Sequence, residues 1–589
     1  MDLSRPKPPR RKDDRIILHF DYDCFYAQVA TARQPQLTSL PLGIKQKSIL
    51  ATCNYVARRL GVTKLMSISD AKKICPDLVL VDGEDLSPFR DVSKRLYGLL
   101  RGYSWNGRVE RLGLDEVWMD VSDVVEYNVG LVNRNDLGSS WFCSRRDDPE
   151  EGFAFDAGHV AGFVYGSEGE VRETDDDDGG GRRYGQWLRY VVASHLARYL
   201  RMKIEEEGYT SACGIASNKT LAKLVGNCNK PRNQTALLVG EEEEIWAFMD
   251  GHNLRKIPGV GNRITSLLEA HVRGGEADPN YRSFEAAVTA GTVRKSEGMS
   301  APMLERLLGG SGAERGIGEK VWGLLHGVDN TPVKVGGDVP TQISIEDTYQ
   351  GLNEWGEIQR QLRLLAGSLL RRMHVDLLED DDGQPSSTIN QGKTDKSRRW
   401  LAHPKTIRLT TRPYYRADSG KPYNYARVSR SQPLPGFVFV LTTPREALAD
   451  RLVDEVLLPM FRKLNLASEK WNVGLVNVCV ANMVAVGGEN GGIGGGRDIG
   501  AMFRRQEDVL REFRVYDEDG VDSQERMEVE EIGDIPQVTV EEVEKDEESD
   551  AEAWEEDDRD GLESCSRCGH LIPSFALIAH ERYHDLEPG

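Results

Sequence analysis

The sequence predicts an α+β protein built from several domains, and three observations lead to that prediction. The chain has 589 residues, which corresponds to about four domains at roughly 150 residues each. Hydrophobic residues make up 39% of the chain and charged residues 29%, so most of the chain can bury a core while part of it must be solvated. Strand patterns and helical patterns are mixed along the chain. Together these features exclude a single small binding module.

Two apolar strand patterns in the first part of the chain carry acidic residues. Residues 15–30 predict a strand that ends at Asp21 and leads through an aromatic turn into a helix. Residues 109–123 carry a second strand pattern, which Asp115 and Glu116 interrupt. We expect the two strands to be neighbours in one sheet.

Helices and strands around these two segments complete the sheet. Residues 44–83 predict a compact α/β piece with a helix, a proline stop and a short strand. A long helical pattern from about Gln186 to Glu207 is followed by the strand SACGIA and by a helix that starts at Ser217. Residues 250–338 are mainly helical.

From Thr341 to about Phe503 the pattern is that of a separate α+β domain. Helices are predicted at 353–373 and 444–464, and residues 377–399 are polar and predict a disordered loop. The predicted strands are TIRLTTR, GFVFVL and WNVGLVNVCVANMVAV.

The net charge of −20 is concentrated in two segments. Residues 506–563 contain 26 acidic and 5 basic residues, a net charge of −21, and residues 147–181 contain 12 acidic residues and one Arg, a net charge of −11. The rest of the chain therefore carries +12. That positive balance suits a phosphate-binding surface, whereas the two acidic segments are too polar to order themselves.

Cysteine usage and the absence of long apolar runs predict a soluble intracellular protein. The nine cysteines are scattered, and only Cys565 and Cys568 are closely spaced, which argues against a disulfide framework and for a reducing compartment. The sequence has no apolar run near the roughly 20 residues of a membrane span. The basic stretch Arg5–Arg15 is a candidate nuclear import signal or simply a disordered arm.

The acidic residues at the two strand patterns are a candidate metal site. Asp21, Asp115 and Glu116 would bring three carboxylates together, and two Mg²⁺ ions about 4 Å apart are the usual device for in-line phosphoryl transfer. An acidic pair in a long chain is more often a solvated turn. The apolar flanks favour the metal, because carboxylates among buried strands need partners.

Six sequence blocks, in order over residues 15–240, resemble the Y-family translesion DNA polymerases. The blocks are DYDCFYAQV, PLGIKQK, TCNYVARRLGVTKLM, DAKKICPDLVLVDGEDL, ERLGLDEVWMDVSD and CGIASNKTLAKLVGNCNKPRNQT. Weaker similarity continues to about residue 510. The resemblance implies a right-hand polymerase of four domains: a palm (15–43 and 84–249, with a disordered acidic insertion at about 127–185), short fingers (44–83), a helical thumb (250–340) and a little finger (341–505).

The same resemblance implies a nuclear, monomeric DNA-directed DNA polymerase. Such an enzyme transfers dNMP from dNTP to a primer 3′-OH on primer–template DNA with low fidelity during DNA damage tolerance and repair. The cofactors implied are two Mg²⁺ ions, with Mn²⁺ as an alternative. Two other classes remain to be weighed, a non-catalytic DNA-binding scaffold and a two-metal nuclease.

The resemblance also assigns roles to residues of the catalytic site. Asp21, Asp115, Glu116 and the backbone carbonyl of Tyr22 would hold Mg²⁺, and Asp23 would be structural. Tyr26 stands at the position of the steric gate, where an aromatic ring excludes a ribose 2′-OH. The implied triphosphate contacts are Tyr55, Arg58 and Lys230, with Lys223 as a further candidate.

Further residues are candidates for contacts with DNA and with the templating base pair. Pro258, Gly259 and Gly261 lie in KIPGVGNRI, a hairpin of helix-hairpin-helix type that would bind a phosphate through backbone N–H groups. Arg408 lies on the strand TIRLTTR, where an exposed structural position is equally compatible. In the fingers, Gln46, Lys47 and Ile49 would restrict the template base, with Hoogsteen pairing as one outcome.

The C-terminus predicts a zinc finger beyond an acidic linker at 506–562. Cys565, Cys568, His580 and His584 have the ligand types and spacing of one tetrahedral Zn²⁺ site in a ββα-type finger at 563–589. The segment resembles the ubiquitin-binding zinc finger that ends another member of the family. It implies ubiquitin or a ubiquitinated sliding clamp as a partner, although Arg582 replaces an Asp that such fingers use in that contact.

Overall fold

The fold was examined in a computed structural model, whose chain divides into two compact units. The first unit is Met1–Asp546 and the second is Glu547–Gly589. The structure describes residues 9–166, 180–239, 241–274, 288–310, 313–337, 339–380, 398–414, 427–465, 471–486, 562–564 and 571–573. Within those ranges, no helix combines the length and the apolar character that crossing a membrane requires.

The domain names that the resemblance implies (palm, fingers, thumb) are used below only as labels for the segments predicted above. The chain begins with a strand of the predicted palm segment and continues into the small layer of the predicted fingers segment. Strand β1 (Ile17–Tyr22) is followed by helix α1 (Phe25–Arg33). The fingers elements follow in chain order: β2 (Leu42–Gln46), β3 (Ile49–Cys53), α2 (Tyr55–Arg59), α3 (Ile68–Ile74) and β4 (Val79–Asp82). They form a three-stranded sheet in the order β3-β2-β4, as the helix–proline–strand pattern of 44–83 predicts.

The chain then returns to the palm. Its remaining elements are α4 (Ser87–Arg101), β5 (Val109–Leu112), β6 (Glu116–Asp120), α5 (Ser122–Leu131), β7 (Ser140–Cys143), β8 (Gly152–Phe155), β9 (Phe163–Tyr165), α6 (Gly180–Glu206), β10 (Ser211–Ala216), α7 (Lys219–Val225) and β11 (Gln234–Leu237). The second predicted strand pattern is therefore a hairpin, β5–β6, with Asp115 in its turn.

The palm sheet has six strands in the order β5-β6-β1-β10-β11-β9. Strand β1 lies in its centre, antiparallel to both β6 and β10, so the two acid-bearing strands are neighbours as expected. The strands are almost fully apolar because helices cover the sheet. Phe20, Val117 and Ile215 belong to its buried core.

Much of the segment predicted as a disordered acidic insertion, about 127–185, is regular structure. From about residue 127 to Gly166, the segment forms the end of α5, the β7–β8 hairpin and the edge strand β9. Aromatic side chains explain the order, because Phe142 and Phe155 are buried in the palm core and Phe153 stacks on Tyr199. Of the acidic run itself, residues 167–179 lie outside the described residues.

The thumb is helical, as its sequence predicts. Its helices are α8 (Glu242–Asp250), α9 (Asn262–Arg273), α10 (Ala290–Arg294), α11 (Ala301–Leu308) and α12 (Ile317–Leu325). Their apolar faces share one core with α7 of the palm, which includes Leu221, Phe248 and Leu325. The thumb segment is thus anchored on the palm segment by a continuous apolar contact.

The next domain packs helices on one face of a second antiparallel sheet. Its elements are β12 (Gln342–Leu352), α13 (Trp355–Leu377), β13 (Leu378–Asp380), β14 (Arg398–Trp400), β15 (Ala402–Pro413), β16 (Val428–Pro433), α14 (Arg445–Leu452), α15 (Leu458–Leu464) and β17 (Val473–Ala485). The large sheet has the order β12-β17-β15-β16. A π-helical turn, Val453–Leu457, joins α14 to α15 in one continuous helical rod.

Two sequence expectations for this domain are revised. GFVFVL does not form a strand, since Gly436–Phe439 is a short 3₁₀ turn in which Val438 alone is fully buried. Of the predicted loop 377–399, the ends are ordered as the paired strands β13 and β14, while residues 381–397 lie outside the described residues.

The N-terminal arm, predicted as disordered over 1–14, is described from residue 9 onward. Arg189 donates a hydrogen bond to the carbonyl of Asp14, and Asn330 donates to the carbonyl of Arg10. Arg15 donates to the carbonyls of Asp329 and Thr331. The arm therefore ties α6 to the segment in which the chain leaves the thumb.

In the second unit the structure describes one small hairpin. It consists of β18 (Leu562–Ser564) and β19 (Leu571–Pro573), which pair antiparallel. The predicted zinc ligands Cys565, Cys568, His580 and His584 lie outside the described residues. The acidic linker 506–562 lies outside them as well, apart from Leu562.

A close approach between β10 and α7 gives a test of the palm fold. A Cβ atom at Gly214 would lie 1.9 Å from the carbonyl oxygen of Ala222 and 2.6 Å from the nitrogen of Gly226. We expect Gly214→Ala to destabilise the protein by about 1–3 kcal/mol, because the helix must move off the sheet. The urea midpoint of unfolding measures this effect.

The matched control is Gly98→Ala in the middle of α4. A Cβ atom there would meet nothing within 4 Å. We expect this variant to be stabilised by about 0.5–1 kcal/mol through helix propensity. Equal unfolding midpoints for the two variants would refute the close-packing explanation.

Candidate active site

The register of the palm sheet brings the predicted acidic residues together. Asp21 on β1 lies directly opposite Glu116 on β6, so their Cβ atoms are about 5 Å apart. Asp115 is one residue earlier, in the β5–β6 turn, and its carbonyl accepts a hydrogen bond of 2.9 Å from the Tyr22 N–H. The three carboxyl groups thus lie at the same end of these neighbouring strands, as the sequence predicts.

Two lysines hold two of these carboxylates. The Lys230 ammonium lies 2.5 Å from Asp21 Oδ2, and the Lys223 ammonium lies 2.8 Å from Glu116 Oε2. The side chains of Asp21 and Glu116 are only 19% and 18% exposed, so the negative charges need these cations as partners. Lys223 comes from α7 and Lys230 from the segment before β11.

The two neighbouring acids Asp115 and Glu116 respond to the site in opposite ways. Burial, together with the charges of Asp21 and Glu116, raises the pKa of Asp115 to about 6. Burial also works against ionisation of Glu116, but the His19 ring and the Lys223 ammonium outweigh it and lower its pKa to about 2. Asp115 is the carboxyl group whose negative charge is least compensated.

The donor set fits a hard divalent cation. Carboxylate and carbonyl oxygens are the ligands of Mg²⁺, and a cation would relieve the repulsion that raises the pKa of Asp115. Glu116 Oε2 accepts no well-aligned hydrogen bond from any described residue, although Lys223 is 2.8 Å away. In the ranges that the structure describes, no three His, Cys, Asp or Glu side chains converge as a metal group.

Asp23 has the surroundings of a structural residue. Its buried carboxylate accepts hydrogen bonds from Thr210 Oγ1 at 2.8 Å and from the Arg232 N–H at 2.9 Å. The Tyr55 hydroxyl lies 3.4 Å from its other oxygen. Asp23 therefore joins β1 to the chain before β10 and to the chain before β11.

Three residues expected to face a nucleotide lie on α1 and α2. Tyr26 stacks on Phe89 with ring centroids 4.3 Å apart, and burial followed by the Asp115 charge raises the pKa of its hydroxyl. Helix α2 starts at Tyr55, where the Asn54 side chain caps it by accepting from the Ala57 N–H. The Arg58 guanidinium lies 4.8 Å from the centre of the Tyr55 ring.

The fingers residues expected at the templating base lie at the β2–β3 turn. Gln46 Nε2 donates a 2.9 Å hydrogen bond to the carbonyl of Gly83, and Ile49 is 39% exposed. The Lys47 side chain contacts Asp347 and Thr348 of strand β12. It therefore links the β2–β3 turn to that strand.

The candidate DNA contacts have the predicted local structure. Gly259 has a φ of 81° in the turn that joins a 3₁₀ turn, Leu254–Lys256, to α9, a conformation that favours glycine. Gly261 is the N-cap residue of α9, and Pro258 precedes the turn glycine. Arg408 is exposed on β15 and donates to Ser431 Oγ at 3.3 Å.

Sequence reasoning missed the role of His19. This residue is 2% exposed, and its Nε2 lies 3.5 Å from Glu116 Oε2. Its ring lies 4.8 Å from that of Trp118, the residue opposite it on β6. The signal was present, because His19 precedes Asp21 by two residues and so lies on the same face of β1.

Comparisons with known proteins agree with the resemblance of the six sequence blocks. Residues 20–227 match the impB/mucB/samB family. The chain is 32% identical over 481 residues to DNA polymerase iota of Homo sapiens, across 81% of this chain and 54% of that protein. It is 32% identical over 377 residues to DNA polymerase iota of Drosophila melanogaster, across 64% of this chain and 44% of that protein.

A bacterial relative matches over a shorter stretch. The chain is 27% identical over 341 residues to DNA polymerase IV of Pseudomonas savastanoi pv. phaseolicola, across 57% of this chain and 70% of that protein. The chain spans about half the length of the iota relatives, 54% for the human protein and 44% for the Drosophila one.

The raised pKa of Asp115 predicts a pH-dependent stability. The folded protein binds a proton that the unfolded chain has lost between pH 3.8 and about 6, so stability falls as the pH rises through that window. Without metal, we expect Asp115→Asn to be more stable than the unchanged protein by about 1–2 kcal/mol above pH 7 and equal to it below pH 4. Melting temperature as a function of pH, with a chelator present, tests this.

Asp91→Asn serves as the control because Asp91 is an exposed acid on α4. We expect its melting curve to follow that of the unchanged protein at every pH. Addition of Mg²⁺ should stabilise the unchanged protein and leave Asp115→Asn nearly unaffected. A constant difference between Asp115→Asn and the unchanged protein across the pH range would contradict the assignment.

Proposed function

We propose that the chain is a DNA-directed DNA polymerase of translesion synthesis, because residues 20–227 match the impB/mucB/samB family and the chain is similar to DNA polymerase iota. The reaction is the template-directed transfer of dNMP from dNTP to a primer 3′-OH. The observation that carries the proposal is the carboxylate pair of Asp21 and Glu116 across β1 and β6, with Asp115 beside it and a lysine on each member.

The carboxylates Asp21, Asp115 and Glu116 and the Tyr22 carbonyl would hold two Mg²⁺ ions, or Mn²⁺. When bound, these ions supply activation of the primer 3′-OH and stabilisation of the charge that develops on the transferred phosphoryl group. The 2.5 Å contact between Lys230 and Asp21 supports this assignment, since a cation that shields the acid in the free enzyme is replaceable by another cation.

The basic and aromatic side chains around the acids would position the nucleotide. Lys230 and Arg58 would neutralise the triphosphate as the pyrophosphate leaves, with Tyr55 fixing the Arg58 guanidinium through the ring contact of 4.8 Å. Tyr26, held in place by its stacking on Phe89, would lie under the sugar and exclude ribonucleotides. Lys223 would keep Glu116 ionised.

The other domains would grip primer–template DNA without reading its sequence. We assign 15–43 and 84–249 to the palm, 44–83 to the fingers, 250–340 to the thumb and 341–505 to the little finger. The N–H groups at the start of α9, after Gly259 and Gly261, would bind one phosphate. Arg408 on the face of β15 would bind another phosphate across the groove.

A two-metal nuclease and a DNA-binding scaffold fit the site less well. A nuclease needs three carboxylates but has no use for a stacked Tyr26, for Arg58, or for Lys230 beside Asp21. A scaffold has no use for a carboxylate at Asp115, whose pKa is raised to about 6 and which therefore destabilises the fold at neutral pH.

The C-terminal segment would recruit the enzyme in the nucleus. Cys565, Cys568, His580 and His584 would hold one Zn²⁺ and so fold a finger that binds ubiquitin or a ubiquitinated sliding clamp. Arg582 would alter that contact, because it stands where similar fingers carry an Asp. The acidic linker before it would keep the finger away from DNA by charge repulsion.

Removing the paired carboxylates tests the catalytic assignment. We expect Asp115→Ala combined with Glu116→Ala to reduce primer extension by at least about 10⁴-fold, because the metal charge is lost, while DNA binding is largely retained. A primer-extension assay opposite each template base, undamaged and lesioned, together with a DNA-binding titration, measures both effects. Retained extension by the purified double variant would reject the active site.

A separate substitution tests the finger. We expect Cys565→Ala to weaken ubiquitin binding at least about tenfold, since loss of one ligand unfolds a metal-dependent finger, and to leave primer extension on naked DNA unchanged. Cys228→Ala is the control, because Cys228 is an exposed cysteine of the polymerase region. Unchanged ubiquitin affinity would reject the partner.

A further inference from the structure

We propose that Lys47 is a positioning residue that fixes the β2–β3 hairpin of the fingers to strand β12, and that it acts on template-base selection through this link rather than by touching the template. The inference rests on the proposed polymerase function, in which this hairpin covers the nascent base pair. It replaces the direct template contact that the sequence resemblance implies for Lys47.

All three donors of the Lys47 ammonium are used on β12. Its Nζ atom lies 2.5 Å from Asp347 Oδ1 and 3.0 Å from Thr348 Oγ1, and it also donates to the carbonyl of Thr348. The same ammonium lies 5.6 Å from the centre of the Tyr349 ring. An ammonium with three oxygen acceptors and an aromatic ring is held in one position.

On the fingers side of the link, backbone conformation and hydrogen bonds hold Lys47 in place at the hairpin tip. Lys47 has a φ of 52° at the hairpin tip, a conformation that non-glycine residues adopt only when their surroundings impose it. Its N–H group donates to Glu84 Oε1 at 3.1 Å. Because Gln46 also donates to the Gly83 carbonyl, the backbone of the tip is fixed before the side chain reaches β12.

The acceptor side is equally fixed. The Asp347 oxygen that receives the ammonium also accepts a 2.7 Å hydrogen bond from the Thr348 N–H. Asp347 lies opposite Val476 on β17, in the regular stretch of β12–β17 pairing that ends at the irregularity between Thr348 and Leu352. The strand pairing and the hydrogen bond from Thr348 together hold the carboxylate on the sheet that would hold the duplex.

The consequence concerns the space above the template base. Ile49, at the start of β3 and 39% exposed, is carried by the same hairpin tip. When the tip is fixed to β12, the height of this side chain over the nascent base pair is fixed as well. Loosening the link would let the hairpin rise and would reduce discrimination between template bases.

The test compares Lys47→Ala with Asp347→Asn and with their combination. The pair is exposed, with side chains 48% and 42% accessible, so each single change is expected to alter the ratio of kcat/KM between template bases by about two- to fivefold. If Lys47 acts by positioning, Asp347→Asn reproduces the effect of Lys47→Ala, and the double variant is no worse than either single variant. The charge swap Lys47→Asp with Asp347→Lys should restore the ratio in part.

A measurement independent of activity separates this inference from the proposed function. Hydrogen exchange of peptides covering 42–53 and 342–352 should accelerate about two- to fivefold in both single variants. Lys45→Ala is the matched control, because Lys45 lies two residues earlier, on β2, but pairs with Asp82 within the fingers. It should leave peptide 342–352 unchanged.

Each failure has its own meaning. Unchanged exchange in Lys47→Ala overturns the link itself. Faster exchange with unaltered base selection overturns the positioning role, and a silent Asp347→Asn beside a defective Lys47→Ala shows direct contact with the template. If the unchanged protein extends no primer, the proposed function fails while the exchange data still decide the link.

Discussion

The structure of the palm segment depends on keeping like charges side by side in a half-buried sheet. Asp21 and Glu116 are cross-strand partners, and Asp115 adds a third carboxyl at the same edge. Like charges directly opposite each other destabilise a sheet, so the pairing persists because Lys230, Lys223 and His19 surround it. Lys230 comes from the segment before β11, Lys223 from α7 and His19 from β1.

This requirement explains the topology around the site. Strand β1 must be central, since β6 supplies Glu116 on one side while β10 on the other side leads to α7 and Lys223. Helix α7 can deliver its lysine only because Gly214 and Gly226 allow it to lie directly on the sheet. Packing, backbone conformation and electrostatics therefore act together: they allow the acidic side chains to lie close to one another without a bound cation.

Much of the fold and of the acidic site could be predicted from the sequence, for reasons that differ between regions. The neighbouring strands, the helical thumb and the long helices of the last domain follow from apolar periodicity, and the acidic cluster follows from acids at strand ends. The insertion at 127–166 was misjudged because charge was weighed over the aromatics Phe142, Phe153 and Phe155, which bury themselves in the palm core. GFVFVL has strand composition, yet Pro435 precedes it and the chain turns there.

Contacts between residues that are far apart in the chain could not be predicted from the sequence. The contact of Lys47 with Asp347 joins residues 300 positions apart, and no local pattern reports it. The role of His19 was readable in principle from its spacing to Asp21, but only the register of β1 against β6 shows that it faces Glu116.

The segment that leaves the thumb has a consequence for solubility. Strand β5 is one edge of the palm sheet, and such edges invite pairing with other chains. The Lys334 N–H donates to Glu110 Oε2 at 3.0 Å and the Gly336 N–H donates to the Gly107 carbonyl at 3.0 Å, so the chain covers the start of this edge on its way to β12. The connection between domains is also a guard against aggregation, and a catalytic fragment cut before Lys334 would lose that guard together with its last domain.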